Sequence, residues 1–405
     1  MKMKKMSFLL ILVGFIFVAC SKKEDIKSNI LDKPYTQIQN DAKNTEVSIY
    51  MWGGSKEVNN YIDSYVIPRI RDLYNITLNR VPIDNVKVIL QKIELEKNAK
   101  RKSSTDIIWI NGENFKIAKD KKLLYGSFVS KLPNYNKYID TTNNSMLLDF
   151  AEPTQGLEAP FGSSQFVMVY DSTKVKNPPQ NSDELFAWIK KNPSRFSYPA
   201  LPDFTGSAFI RNLFINDIGG IENFDKTTYK NELLKFYAKL NDIKPYLFKK
   251  GTYLPNNSAL QDTLYANGSV DFTFSYNPSH ALNKIKTSNF PKTSKTLLFQ
   301  NGSLANTHFL SIPSTSSNVE GAMVVINYLL SPEAQLEKAK SKIWGDGSVL
   351  DISKLDKEMQ TKFMQLTSHE SLIDTSILQN NQIPELNASY IEEIEKLWVK
   401  NVLKK

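Results

Sequence analysis

"EVSIYMWGGS" (residues 46–55) alternates apolar and polar side chains and then breaks on two glycines and a serine. Alternation of that kind is the period of a strand, and the break marks a strand end running into a turn. Beyond the turn the period changes. Val58, Tyr61, Ile62, Tyr65, Val66 and Ile70 recur at helical spacing, with Pro68 placed to kink the helix. A second strand pattern, "NITLNRVPI" (75–83), a helical stretch from Val86 to Asn98, and a third strand pattern, "TDIIWING" (105–112), complete the run. Strand, helix, strand, helix, strand is the order of a mostly parallel sheet with crossover helices, so the fold class is α/β. Ligands in such sheets collect at the carboxyl ends of the strands, where Trp52-Gly53-Gly54-Ser55 and Asn111-Gly112-Glu113-Asn114 fall.

Working outward, the N-terminus is the next informative stretch. "MKMKKMSFLLILVGFIFVAC" (1–20) places lysines before an apolar run that ends on Ala19-Cys20. The apolar part is shorter than the roughly 20 residues of a membrane span and has the layout of a secretory leader. Its end, Phe17-Val18-Ala19-Cys20, resembles a bacterial lipoprotein signal, with Phe17 in place of the favoured Leu. That resemblance implies cleavage before Cys20 and a lipid on its sulfur. Cys20 is the only cysteine among 405 residues, which excludes internal disulfides, Cys-rich zinc sites and dithiol redox motifs. From Cys20 to about Thr45 the chain is polar and without period, which predicts a flexible tether.

The remainder is long enough for two domains, with 41% hydrophobic residues and a formal charge of +9. The positive charge is dispersed, with short runs at Lys100-Arg101-Lys102 and Lys119–Lys122, and no nucleic-acid-binding module accompanies it. "SSQFVMVYDSTKV" (163–175) predicts a strand long enough to pass from one lobe to the next. "NSDELFAWIKKNP" (181–193) predicts a helix with Ser182 as N-cap, and "LPDFTGSAFIRNLF" (201–214) a polar turn opening into a helix. In that helix Phe209 and Phe214 lie on the core face. Strand, turn and helix come next in "GSVDFTFSYNPSHALNKI" (268–285), with the turn at Tyr276-Asn277-Pro278. "ANTHFLSIP" (305–313) predicts another strand. A helix then buries Val319, Ala322, Met323, Ile326 and Leu329, and Ser331-Pro332-Glu333 caps and starts the next one.

"DIIWINGENF", "YPALPDFTGSAFIRN", "DFTFSYNP" and the "YLLSPEAQ" helix junction, together with the leader and tether, resemble the solute-binding lipoproteins of bacterial ABC importers, and the YnjB group in particular. The resemblance covers nearly all of the chain after the leader. It implies a type II-like periplasmic-binding-protein fold of two α/β lobes joined by two or three hinge strands, crossing near 161–170 and 307–313. It further implies a leader at 1–19, a tether at 20–45, a first lobe of 46–165 plus 308–345, and a second lobe of 166–307 plus 346–405 with the C-terminal helices. The implied function is capture of a small solute in the interlobe cleft and delivery to a membrane permease and its ATPase. The implied location is extracytoplasmic and lipid-anchored, the implied state a monomer, and no cofactor, metal or nucleic acid is called for.

Under that reading the ligand-binding candidates are Trp52, Gly53, Gly54, Ser55, Asn111, Glu113, Asn114, Ser163, Ser164, Asp203, Phe204, Thr205, Gly206, Ser207, Tyr276 and Asn277. The two turns, Gly53–Ser55 and Thr205–Ser207, open helices, where free N–H groups and partial positive charge either cap themselves or hold a ligand. Trp52 and Tyr276 are candidates for stacking; Trp109, alternating within an apolar strand, reads as core. Glu113 and Asp203 could face a cationic group, and aromatic faces would add to that attraction. Donor-rich helix starts beside two acids suit a thiamine-like or phosphorylated compound. Iron, through Tyr276 and His280, and a polyamine are the alternative ligands. The alternatives of another kind are a secreted hydrolase and a structural lipoprotein. The three histidines show no HExxH spacing, "FGSSQF" lacks the second glycine of a GxSxG elbow, and no P-loop or dinucleotide fingerprint is present.

Overall fold

A computed structural model describes residues 30–366 and 369–404. The expected leader (1–19), Cys20 and the first part of the expected tether lie outside the described residues.

The opening stretch forms β1 (Glu46–Trp52), in which Val47, Ile49 and Met51 are buried on alternate positions. It pairs in parallel with β2 (Thr77–Ile83) on one side and with β3 (Ile107–Ile110) on the other. Ile107 and Ile108 enter different apolar clusters, so the sheet is covered on both faces, as parallel sheets are. The helical run after β1 is continuous but not regular: Lys56–Asn60, a π-helical turn Tyr61–Val66, then Ile67–Tyr74. Pro68 has no N–H to give, and the widened turn just before it absorbs that loss.

β4 (Glu158–Gln165) leads almost directly into β5 (Val167–Asp171) of a second sheet. There β5 pairs antiparallel with both β6 (Phe272–Ser275) and β7 (Ser294–Leu297). The return path is β8 (Ser303–Ser311), which runs antiparallel to β4 along nearly its whole length and pairs with β3 at its far end. The start of β8 also pairs in parallel with β9 (Gln382–Pro384). Phe161 packs with the first apolar cluster and Phe166 with the second; Leu310 packs with the first and Leu304 with the second. The chain therefore changes lobe within a few residues on each of two adjacent strands. The second crossing begins before Thr307, earlier than the sequence predicts, because β8 starts among second-lobe side chains.

Several expected boundaries need correction. Residues 20–45 are not all tether: Tyr35–Asp41 is a helix whose Ile38 is fully buried, and Ala42 packs beside it in the first cluster. Residues 346–405 do not belong wholly to the second lobe. Val349, Leu350 and Leu355 pack in the first cluster, and only from Ile383 do side chains such as Ile394 and Trp398 join the second. The helix Ser182–Lys191 is capped by Asn181, whose side chain accepts from the Glu184 N–H, not by Ser182. Ser331 does cap Pro332–Ala339, accepting from the Ala334 N–H.

Candidate functional site

A cleft of about 840 Å³ opens between the two clusters, beside the paired strands β4 and β8. The first lobe supplies Trp52, Gly54, Ser55, Glu57 and Asn111; the second supplies Asp203, Phe204, Thr205, Tyr276 and Asn277. Asn114 and Ser164 also line it.

Five of the rings around it come from distant parts of the chain: Trp52, Trp109, Phe204, Tyr276 and Trp344. Trp52 and Phe204 are about half exposed, at 49% and 52%, which is unusual for rings of that size. Phe204 leans on Tyr276 with ring centres 5.0 Å apart. Trp109, read from sequence as core, is half-buried and lines the cleft; its indole N–H donates to Asn111 Oδ1 at 3.0 Å. Asn111 is itself held by donation to the Thr307 carbonyl at 2.7 Å.

The turn Thr205–Ser207 is largely consumed by the protein. Asp203 is the N-cap of the helix Phe204–Asp217, and its Oδ1 accepts from the Gly206 N–H at 2.9 Å. Its other oxygen accepts from the Ser258 N–H at 3.3 Å. Burial pushes the Asp203 carboxyl up, against these amide contacts. Ser207 is 2% exposed, and its hydroxyl bonds Glu395 and Arg211 behind the cleft. A Cβ on Gly206 would collide with the Pro199 carbonyl oxygen, so close backbone packing explains that glycine. Of the three residues only Thr205 reaches the cleft wall.

The other turn divides in the same way. A Cβ on Gly53 would come within 2.6 Å of Pro82 Cβ, so Gly53 allows β1 to pack on β2, while Gly54 lies under the Trp52 indole. Ser55 caps its own helix, accepting from the Val58 N–H and donating to Glu57 at 2.7 Å. Glu113 is bound by Lys87 at 2.7 Å and lies off the cleft wall. Ser163 exchanges backbone hydrogen bonds with Gly347 and is also off it.

Of a polar set that the fold assembles, sequence reasoning named only His280. On the second-lobe side Asp262 holds His280 Nε2 at 2.9 Å and accepts from the Thr273 hydroxyl at 2.7 Å, with Lys284 Nζ 3.9 Å away. On the first-lobe side, burial pushes the Glu57 carboxyl up, but the Ser55 hydroxyl, a helix amide and the charges of Lys284 and His280 bring it below its ordinary value. Asn306, His308, Trp344 and Asp346 form the floor. Asn306 and His308 share one face of β8 by strand alternation, a pattern visible in "ANTHF"; nothing in "KIWGDGS" (342–348) marks Trp344 or Asp346 beforehand. Among the described residues there is no cluster of His, Cys, Asp and Glu arranged to hold a metal, and no helix is long and apolar enough to cross a membrane.

Comparison with known proteins places this architecture. Protein YnjB of Escherichia coli (strain K12) is 33% identical over 371 residues, covering 90% of this chain and 93% of that one. The spermidine/putrescine ABC transporter substrate-binding protein PotD from Streptococcus pneumoniae superposes with a TM-score of 0.64 at 17% identity, over 89% of this chain and 99% of that one. The periplasmic binding protein AfuA from Actinobacillus pleuropneumoniae, solved with fructose-6-phosphate bound, gives 0.59 at 14% identity, over 90% and 100%. The fold is thus that of the two-lobed, type II periplasmic binding proteins. Residues 71–364 match the profile of bacterial extracellular solute-binding proteins, and with the YnjB likeness this settles that the chain belongs to that family.

Proposed function

We propose that this chain is the extracytoplasmic solute-binding component of an ABC importer. It takes a small polar organic ligand with a flat ring and an anionic or acceptor end, of the thiamine-like or phosphorylated kind, and delivers it to a permease and its ATPase. It works as a monomer, tethered through a lipid on Cys20.

The observation that carries this reading is the convergence of aromatic rings and polar side chains from both lobes on one cleft of about 840 Å³, within the size range of small-molecule pockets. Rings at Trp52, Phe204 and Tyr276 suit a flat ligand, and Lys56 and Lys284 supply a cationic side for an anionic end. A polyamine is less well served. Asp203 is taken by backbone amides, Asp262 by His280, Asp346 by Lys338 and one oxygen of Glu57 by the Ser55 hydroxyl, so little carboxylate oxygen is left for several ammonium groups. Iron is less well served too, since the Tyr276 hydroxyl is bonded to Glu385 and His280 Nε2 to Asp262.

Native mass spectrometry of protein purified without denaturant, followed by calorimetric titration with thiamine, thiamine phosphate, spermidine and fructose 6-phosphate, tests the proposal. Saturable binding of a thiamine compound with no change in the ligand recovered afterwards supports it. Tight binding of spermidine replaces the ligand assignment, and conversion of any of these compounds to product overturns the binding-protein reading.

A further inference from the structure

On the floor of the cleft His308 is held on three sides, and the fourth is open. Its Nε2 lies 3.0 Å from Asp346 Oδ1. The neighbouring ring carbon, Cδ2, faces Gly162, where an added Cβ would come within 2.7 Å of it. Trp344 stacks on the imidazole with planes 12° apart, and Trp109 meets it nearly edge-on with centres 5.0 Å apart. The Nε2–Cδ2 edge therefore points into the protein, which turns the opposite edge, bearing Nδ1, toward the cleft that His308 lines. Among the described residues Nδ1 has no hydrogen-bond partner, and it is not one of the buried atoms left without one.

The groups behind His308 determine what Nδ1 can do. Asp346 is 3% exposed, and its second oxygen accepts from Lys338 Nζ at 2.6 Å. Lys338 is fully buried and also donates to the carbonyls of Phe161 and Gly347, at 2.9 and 2.7 Å. The Asp346 carboxylate is an acceptor only, so the imidazole gives it the Nε2 proton. Neutral imidazole carrying that proton has its lone pair on Nδ1. Two residues earlier on the same strand face, Asn306 accepts from the Ser164 hydroxyl through Oδ1 at 2.6 Å, which leaves its Nδ2 donor for the cleft.

We propose that His308 is a specificity-determining residue whose Nδ1 accepts a hydrogen bond from an amino N–H on the ligand's ring, with the ring seated beside Trp109. The ligand class is then an amino-bearing heteroaromatic. This deepens the functional reading above and rests on it.

The test uses the full chain, thiamine as the amino-ring probe, and fructose 6-phosphate as a probe without a ring N–H. His308→Gln keeps a donor for Asp346 through the amide Nε2 but removes the acceptor at the Nδ1 position. The expected result is ten- to a hundredfold weaker thiamine binding with an unchanged melting temperature. Equal affinity in wild type and variant overturns the inference and leaves the solute-binding reading standing. A wild type that takes fructose 6-phosphate and ignores thiamine does the same. A wild type that binds neither overturns the inference together with the thiamine-like ligand assignment, and leaves the solute-binding family standing. A second measurement is independent of the ligand. With only three histidines in the chain, nitrogen-15 imidazole spectra of the free protein resolve each tautomer. Nδ1 of His308 should be unprotonated, and a proton found there overturns the proposal.

Discussion

The Arg211 guanidinium meets the Glu385 carboxylate twice, Nε to Oε2 at 3.0 Å and Nη2 to Oε1 at 2.9 Å, with both side chains 2% exposed. Burial alone would push Arg211 down, but the Glu385 charge more than reverses that and holds it protonated. The pair ties the segment after β9 to the helix Phe204–Asp217, and Tyr276 bonds the same Glu385 oxygen from the cleft side.

Breaking that pair should therefore cost far more than a surface ion pair would. Arg211→Ala leaves the Glu385 carboxylate buried and unpaired, and about 3–5 kcal/mol of second-lobe stability should be lost. Replacing both residues, as Arg211→Met with Glu385→Leu, should recover most of it. Thermal melts of the three variants decide the matter: a single variant as stable as wild type would mean that the pair carries no stability.

Asp149 and Glu158 point to a pH effect in the first lobe. Both Glu158 oxygens and one Asp149 oxygen are buried with no hydrogen-bond partner among the described residues. Burial, reinforced for Glu158 by the Asp149 charge, pushes both carboxyls well above their ordinary values. A carboxyl whose folded pKa is raised binds its proton more tightly in the folded state. Its contribution to stability is thus complete below the unfolded value of about 4 and is lost as pH rises toward the folded value. Within that window each group should remove about 1.4 kcal/mol per pH unit. Glu158→Gln should flatten this fall, so its melting temperature relative to wild type should climb between pH 4 and pH 8. A difference that does not change with pH would refute the account.

The exposed cleft rings and the buried ones should separate cleanly. Trp52→Ala or Phe204→Ala should weaken ligand about tenfold and leave the melting temperature near wild type, because each ring is already half in solvent. Phe214 is fully buried, and Phe214→Ala should cost about 3–5 kcal/mol of stability. Gly206→Val belongs with Phe214→Ala: its Cβ meets the Pro199 carbonyl, so stability should fall before ligand affinity is read. Paired calorimetry and thermal melts would expose any ring placed in the wrong class.

The same residues mark how far the sequence led. Val47, Ile49 and Met51 are buried on β1 as the alternation requires, and Phe209 and Phe214 are buried as their helical spacing requires. Periodicity reports which face turns inward, and it did so here. It is silent on what a polar atom meets across the fold. Ser207 looked free at a helix start, yet its partner Glu395 comes from the far end of the chain. Glu113 looked free for a cation, yet Lys87 on the preceding helix takes it. Trp344 and Asp346 reach the cleft floor only because their loop folds against β4, a long-range pairing of Ser163 with Gly347 that no local pattern encodes.

At the N-terminus, Cys20→Ser should abolish labelling by a fatty-acid probe in cells and leave the leader uncleaved. The lone cysteine stands directly after Phe17-Val18-Ala19, as the resemblance to a lipoprotein signal requires. Labelling equal to wild type would show that the lipid, if any, is carried elsewhere.

Trp344 joins the two lobes and should help to set how far they open. Its carbonyl accepts from two second-lobe amides, Asn277 Nδ2 at 3.0 Å and Asn283 Nδ2 at 2.9 Å. Lys286 Nζ adds a bond to the Ser341 hydroxyl at 3.2 Å, and Gly345 takes a positive φ of 74° with no room for a Cβ beside Ser279. The Trp344 indole packs meanwhile with Phe161 and Tyr61 in the first lobe. One residue thus holds the aromatic floor by its side chain and the opposite lobe by its backbone. Two such hydrogen bonds contribute about 0.5–1.5 kcal/mol each, enough to shift an open–closed equilibrium by roughly 5- to 150-fold. In Asn277→Ala with Asn283→Ala, small-angle scattering of the ligand-free protein should give a larger radius of gyration than wild type. Saturating ligand should shrink both proteins to the same closed radius. Identical ligand-free profiles would mean that the Trp344 carbonyl plays no part in closure.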